Sequence, residues 1–332
     1  MIITKTPFRM SFFGGGTDMP EFFKEKPGAV LSTTFDKYCY VNVRHLPRFF
    51  DYSTELSYSK TERVTDINDI QHPAIRNAMT MLDMHEIRLT YEADLPARSG
   101  LGTSSSFAVG MLHAFYALKG KYVDKKRLAD EAIYLERTLC KEAGGWQDQI
   151  AAAFGGFNRI NFSSNEYEVL PVIINPERKQ QLNDNLMMFF TGFTRFSSEV
   201  QSANHITDKA KKEKLHKIYA LVDSAEKILT DKTKKLDEFG ELLDYTWKLK
   251  RQTGDSISTE SIDLLYQKGV KAGALGGKLL GAGGGGFLIF YVQPQHQEAV
   301  FNAMKDLLYI PFEFENGGTR VIHYTPETYV RR

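Results

Sequence analysis

Leu95-Pro96-Ala97-Arg98-Ser99-Gly100-Leu101-Gly102-Thr103-Ser104-Ser105-Ser106 leads without a break into an apolar segment, residues 107–118. Gly100 and Gly102 let the backbone turn tightly and approach a ligand closely, and the hydroxyl run 103–106 can cap the helix that follows. The first turn of such a helix presents unpaired N–H groups and a partial positive charge. Backbone alone can then hold a phosphate there and leave hydroxyls for a metal ion. The start of an ordinary capped helix accounts for the same residues, so both readings stand on this stretch alone. Two other glycine-rich stretches weigh toward the anion site: Gly14-Gly15-Gly16-Thr17-Asp18 and Leu280-Gly281-Ala282-Gly283-Gly284-Gly285-Gly286.

The chain has 332 residues, 42% hydrophobic and 25% charged, with a formal net charge of +1. That length predicts about two domains with ample material for a core in each. Such a charge balance gives no electrostatic case for nucleic acid, and any anion site must be local. Cys39 and Cys140 lie far apart, form no metal or redox spacing, and read as buried thiols in a reducing compartment. The N-terminus lacks the apolar run of a signal peptide, and there is no stretch of about 18 apolar residues to cross a membrane. A cytoplasmic protein without membrane partners is expected. Asn161-Phe162-Ser163 has the form of a glycosylation acceptor, which has no meaning there.

In chain order, residues 2–6 and 8–13 read as a strand pair broken at Pro7, and 20–26 as a short helix. Residues 29–35 and 38–45 alternate like half-buried strands, 51–63 like short edge strands, and 87–93 like a strand feeding the opening motif. Helical periodicity covers 72–84, then 107–118, then a helix capped by Asp124 and carrying Leu128, Ala132, Leu135, Glu136 and Leu139. Gly144-Gly145-Trp146-Gln147-Asp148-Gln149 breaks it and opens an apolar helical stretch, 150–154, before a strand at 157–162. The charge-rich span 163–181 is the expected boundary, dividing the chain into domains 1–170 and 171–332. Beyond it come a strand at 186–190, long amphipathic helices over 208–230 and 236–252, and a further helix at 261–272. A glycine-rich loop at 278–286 precedes a strand at 287–292. A last helix over 295–308 and strands near Phe312 and 319–324 finish the chain. The lysine runs at 209–217 and 232–235 are interspersed with acids and read as solvated helix faces.

The tract 281–286 contains Gly-x-Gly-x-x-Gly, but the dinucleotide fingerprint needs a helix after it, and Phe287-Leu288-Ile289-Phe290-Tyr291-Val292 is strand-like. A Walker A loop is excluded, since Lys278 is followed by Leu279, and the protein-kinase motifs are missing. Three glycine loops with buried-looking acids point instead to phosphoryl transfer, which needs held phosphates, Mg²⁺ and a group oriented on the attacking hydroxyl. Asp148, in a Gly/Trp-rich break, is either an N-cap or the orienting acid. Glu136, mid-helix among apolar neighbours, is either a surface residue or a metal ligand. Arg9, before the first glycine loop, is either structural or offsets these charges.

These motifs resemble the GHMP small-molecule kinases, the superfamily of galactokinase, homoserine kinase, mevalonate kinase and phosphomevalonate kinase. All three of its motifs occur in family order: Pro7-x-Arg9 to Asp18, Pro96 to Ser106, and Gly281 to Gly286. Phe8-Arg9-Met10-Ser11-Phe12-Phe13-Gly14-Gly15-Gly16-Thr17-Asp18 with Gly145-Trp146-Gln147-Asp148-Gln149 looks like the sugar-1-kinase branch, closest to D-glycero-D-manno-heptose phosphate kinases, with fucose-type kinases nearby. The resemblance implies an α+β, two-domain GHMP fold, with a ribosomal-protein-type N-terminal domain, a ferredoxin-like C-terminal domain and ATP in the cleft. It implies ATP-dependent phosphorylation of the anomeric hydroxyl of a heptose 7-phosphate, with ATP and Mg²⁺ as cofactors, a sugar phosphate as partner, and room for a homodimer. Carried over by position, Pro96, Ser99, Gly100, Leu101, Gly102, Thr103, Ser104 and Ser105 would hold the nucleotide, and Ser104 and Glu136 the metal. Asp148 and Arg9 would be catalytic. Gly15, Gly16, Thr17, Asp18, Gly145, Gln147, Gly283 and Gly284 would face the sugar. The family's usual Ser-Ser-Ala-Ala ending reads here Ser104-Ser105-Ser106-Phe107. For the phosphate of the sugar, Arg195, among hydroxyls in a post-strand loop, is the candidate, with Arg44, Arg48 and Arg98 as competitors.

Overall fold

The structure, a computed structural model, describes residues 1–97, 99–164, 166–192, 209–254, 257–281 and 285–326. Two long strands form its spine: β1 (Ile2–Phe13) and β2 (Gly28–His45). The break expected at Pro7 is absent. The ladder instead shifts register between Pro7 and Phe8, opposite Asp36 and Lys37 of β2, and such a bulge tolerates a residue without an N–H. After the short helix α1 (Pro20–Phe23) come the edge hairpin β3 (Thr54–Ser57) and β4 (Thr61–Val64), helix α2 (Pro73–Met81) and strand β5 (Ile87–Ala93).

Helices α3 (Thr103–Leu118), α4 (Lys125–Ile133) and α5 (Gln147–Phe154) follow, then the hairpin β6 (Phe157–Ser163) and β7 (Glu166–Pro171). The second half holds α6 (Pro176–Asp184), β8 (Leu186–Phe190), α7 (Lys209–Thr230), α8 (Asp237–Arg251) and α9 (Glu260–Lys271). It ends with β9 (Gly276–Leu279), β10 (Phe287–Tyr291), α10 (Gln297–Ala303), β11 (Leu308–Ile310), β12 (Phe314–Glu315) and β13 (Arg320–Tyr324). The last helix is therefore shorter than expected. Leu308, read as its end, instead begins β11, whose Leu308-Tyr309-Ile310 pairs with β8, because strand-forming side chains there find a sheet edge to complete. The expected boundary span, 163–181, contains β7 and α6.

The larger sheet runs β13-β1-β2-β5-β3-β4, with β12 and β6 also on β2 and β7 on β6. The smaller runs β11-β8-β10-β9. One face of the larger sheet buries Val41, Val43 and Leu89 under α2 to α5, where Phe107, Val109, Met111 and Phe115 of α3 fill the layer. On the other side, Phe8, Met10, Phe12 and Phe13 of β1 meet Phe239 and Leu243 of α8 and Met188, Phe287 and Ile289 of the smaller sheet. Trp247, Ile262, Phe290 and Val300 then seal the smaller sheet against α9 and α10. Residues 314–324, expected in the second domain, pair with β1 and β2.

Phe12, fully buried, has its ring 5.7 Å from that of Phe157, 5.4 Å from that of Phe239 and 6.5 Å from that of Phe314, joining β6, α8 and β12. Phe12→Ala is expected to cost about 3–5 kcal/mol. Thermal denaturation should show one cooperative transition at a lower Tm.

Candidate active site

Helix α3 begins at Thr103 with Gly102 as its N-cap in the left-handed region, and no side chain caps it. The hydroxyls expected to do so are used elsewhere. Ser106 Oγ donates to the carbonyl of Pro7 (2.9 Å), Ser104 Oγ to Glu136 Oε1 (2.9 Å) and Ser105 Oγ to Glu136 Oε2 (2.7 Å). The helix start thus keeps its dipole and first-turn amides available to an anion, with a carboxylate beside it. Gly281 and Gly286, at the two ends of the third glycine stretch, lie directly on this loop. A Cβ on Gly281, whose φ is +89°, would stand 2.3 Å from the Cα of Gly100.

Glu136 lies where α4 passes into a π-helical turn, Tyr134–Leu139. Such widened turns re-phase a helix face and recur at functional sites. Here consecutive Leu135 and Glu136 are both buried. The carboxylate is 1% exposed and receives Ser104, Ser105 and Gln149 Nε2. No cation pairs with it among the described residues, and Gln149 Oε1 next to it is buried without a partner. A buried carboxylate among neutral donors has its charge uncompensated, and hard oxygen donors of this kind fit a divalent cation. Among the described residues no cluster of three or more His, Cys, Asp or Glu could hold a metal, so such a cation would draw its remaining ligands from bound phosphates or water.

Arg9 ties these pieces together. Its backbone N–H donates to Leu101 O (3.1 Å) and its guanidinium to Gly100 O (2.7 Å). The guanidinium also meets Asp148 Oδ1 from two nitrogens, each at 2.8 Å. Asp148 lies inside the first turn of α5, and its side chain caps nothing there. Beyond the pair opens a cavity lined by Ser11, Gly15, Gly16, Asp18, Gly145, Gln147 and Asp148 among others. Asp18 Oδ1 accepts from Gly16 N (2.9 Å). Burial pushes the Asp18 carboxyl above its usual range. The Gly16 amide opposes that rise and the nearby Asp148 charge adds to it. Gly145 gives this carboxylate its room, since a Cβ there would fall 1.9 Å from Asp18 Oδ2.

Thr17 is turned inward, its hydroxyl donating to Gly14 O and Ala29 O and accepting from Ala29 N. Leu101 is a core residue, Ser99 is buried and Pro96 is exposed. Arg98, Arg195, Gly283 and Gly284 lie outside the described residues. Arg44 and Arg48 are not in the cavity wall, and Arg48 pairs with Glu86. Cys140, expected buried, is half-buried.

The wall also holds cations that the sequence did not single out: Arg137, Lys211, Lys250 and Lys278. Lys250 hides among the basic residues of the last turn of α8, where it looks like a helix-end charge. Lys278 adjoins the third glycine stretch, and that adjacency was the signal available. Arg137 donates to the carbonyls of Glu142, Ala143 and Gly145 and so braces the turn that carries Gly145.

Residues 70–156 match the family model of the GHMP kinases N terminal domain, and residues 221–310 that of the GHMP kinases C terminal. The chain belongs to the GHMP kinases. This GHMP kinase is 29% identical over 323 residues to the D-glycero-alpha-D-manno-heptose 7-phosphate kinase of Campylobacter jejuni, covering 92% of this chain and 93% of that one. It is 25% identical over 315 residues to the bifunctional fucokinase/GDP-fucose pyrophosphorylase of Arabidopsis thaliana, covering 85% of this chain and 29% of that one. The crystal structure of a D-glycero-D-manno-heptose 1-phosphate kinase from Bacteroides thetaiotaomicron has the same two-domain fold. The TM-score is 0.78 at 24% identity, with 99% of this chain and 100% of that one covered. As a GHMP kinase the protein is a phosphotransferase, moving a phosphoryl group from ATP to an alcohol. Among the described residues no helix is long and apolar enough to cross a membrane.

Gly145→Ala is expected to displace the Asp18 carboxylate and lower kcat/KM for the acceptor by at least about tenfold, since misplacement of about 1 Å is costly in such sites. Steady-state kinetics alongside the KM for ATP checks this, because the ATP value should move little.

Proposed function

We propose that this kinase phosphorylates the anomeric hydroxyl of D-glycero-D-manno-heptose 7-phosphate with ATP, giving the 1,7-bisphosphate. The observation that carries the reading is the position of the Arg9–Asp148 pair. It stands between the uncapped start of α3 and a cavity holding the buried Asp18. Similarity along nearly the whole chain to the Campylobacter jejuni enzyme supports the choice of sugar.

In this reading the loop Gly100 to Ser105 holds the triphosphate on the amides of α3, with the helix dipole behind it. Bound at Glu136 and Ser104, Mg²⁺ would offset the charge on the phosphate oxygens. Asp18 receives hydroxyls of the sugar, and Gly15, Gly16, Gly145 and Gln147 shape the space around it. Gln147 Oε1, buried and without a partner, is one more acceptor for a sugar hydroxyl. Both contacts from Arg9 fall on Asp148 Oδ1, which leaves Oδ2 to receive the proton of the attacking hydroxyl and aim its lone pair. Because the transition state for phosphoryl transfer is loose, orientation contributes more than proton abstraction. Arg9, fixed by Asp148 and the Gly100 carbonyl, stands where charge builds on the transferring group.

Similarity to the Arabidopsis fucokinase favours a second reading, an unphosphorylated hexose such as fucose as acceptor. A coupled ADP-release assay over heptose 7-phosphate, heptose, fucose, galactose and mevalonate separates the two. The heptose 7-phosphate should show the highest kcat/KM, and a higher value for fucose would overturn the first reading.

Asp148→Asn is expected to lower kcat by about 10²–10⁴ with little change in the KM for ATP. Glu136→Gln should instead raise the Mg²⁺ concentration needed for half-maximal rate, read by titrating the metal at fixed ATP.

A further inference from the structure

Among the described residues, two lysine ammonium groups reach the acceptor cavity and form no ion pair. Lys250 Nζ donates to Gly281 O at 2.9 Å, and Lys278 Nζ donates to Ser11 O at 2.7 Å and Phe12 O at 3.0 Å. Carbonyl dipoles compensate a desolvated ammonium poorly. An ammonium has three protons to donate, and Lys250 commits one of them.

Beside Lys250 is a second unmet group. Ser11 Oγ, on a residue 5% exposed, has no hydrogen-bond partner. The two atoms border one notch. A Cβ on Gly15 would find Lys250 Nζ at 3.6 Å and Ser11 Oγ at 3.9 Å. The missing side chain of Gly15 therefore leaves a space faced by an ammonium and an orphan hydroxyl.

The charge around this notch calls for an anion. Arg9, Arg137, Lys211, Lys250 and Lys278 line the cavity against Asp18 and Asp148. Arg9 already pairs with Asp148. Among the described residues none of the loop 96–105 belongs to that wall, whereas Arg9 and Asp148 do. Among the described residues Lys250 makes no ion pair with Asp18 or Asp148, whose charges favour its ammonium, so an anion brought by the acceptor can meet it.

We propose that Lys250 Nζ and Ser11 Oγ, across the notch left by Gly15, bind a phosphate monoester carried by the acceptor. Lys278 is a positioning residue: by holding the carbonyls of Ser11 and Phe12 it fixes the strand end that presents Ser11. This inference rests on the acceptor being a sugar phosphate.

The test compares kcat/KM for heptose 7-phosphate and for unphosphorylated heptose in the wild type, Lys250→Met, Ser11→Ala and Gly15→Ala. The ratio of the two values should fall about 10–100-fold in Lys250→Met and less in Ser11→Ala, mainly through the KM of the phosphorylated sugar, as expected for lost charge-assisted hydrogen bonds. Gly15→Ala, which occupies the notch, should lower the same ratio. An unchanged ratio in Lys250→Met, with kcat reduced on both sugars, would place Lys250 on the transferring phosphoryl group and overturn the proposal.

Calorimetric titration with inorganic phosphate needs no turnover. With a non-hydrolysable ATP analogue filling the nucleotide loop, wild type should bind phosphate at least about tenfold more tightly than Lys250→Met, and equal affinity would overturn the proposal. A wild type that turns over no sugar phosphate would remove the heptose reading, while this titration would still decide the subsite.

The titration has a predicted pH dependence. Burial pushes Lys250 down to about 8; Arg9 of β1 adds to the fall, while Asp18 after β1 and Asp148 of α5 oppose it. Lys278 of β9 and Lys211 of α7 share the wall. Lys250 is charged below that value and neutral above it, so phosphate affinity should weaken as pH rises through about 8. Lys250→Arg, charged throughout, should lose that limb.

Discussion

Arg9 holds three parts of the chain in one place. Through its backbone it fastens β1 to the loop before α3, and through its side chain it fastens that loop to the start of α5. A guanidinium suits this because its donors lie in a fixed plane and its charge persists when buried, whereas an ammonium would offer neither. The backing is the core beneath. Phe8, Met10 and Phe12 clamp the strand that carries Arg9 between sheet and helix, so the guanidinium starts from a rigid base. Breaking this contact would leave the buried Arg9 guanidinium without its partner, which is why the surrounding geometry hangs on it.

Much of this was legible in the residues. Glycine stretches announce close approach whatever fold surrounds them, and the amphipathic helices of the second half announce themselves by period. Asp18, Glu136 and Asp148 stood out because acids in glycine-rich or apolar settings need a reason. Long strands were harder to read. Pro7 and the pair Asp36-Lys37 look like breaks, yet a bulge absorbs both, and whether a bulge can form depends on the partner strand. The role of the hydroxyls was likewise undecidable locally. Ser104 and Ser105 could cap their own helix until Glu136, distant in sequence, is seen beside them.

Lys250 and Lys278 escaped notice for a related reason. A lysine at a helix end or in a strand is unremarkable by type, and its meaning lies in what it lacks. Only with the packing known does it become visible that, among the described residues, neither ammonium forms an ion pair. The same packing turns the Thr17 hydroxyl inward, where it closes the turn of the first glycine stretch.

The pairing of β13 with β1 has a temporal side. β13 covers the edge of β1 not paired to β2, and the Thr6 hydroxyl meets that of Thr319 at 2.8 Å. The strand that carries Arg9 is thus completed by residues some 313 positions away in the sequence. Contacts of such long sequence separation form slowly, and until they form, an apolar strand has an open edge able to pair with another chain. Until β13 joins, the sheet that carries Arg9 is unfinished, so the cleft takes its final form only when strands far apart in the sequence have met.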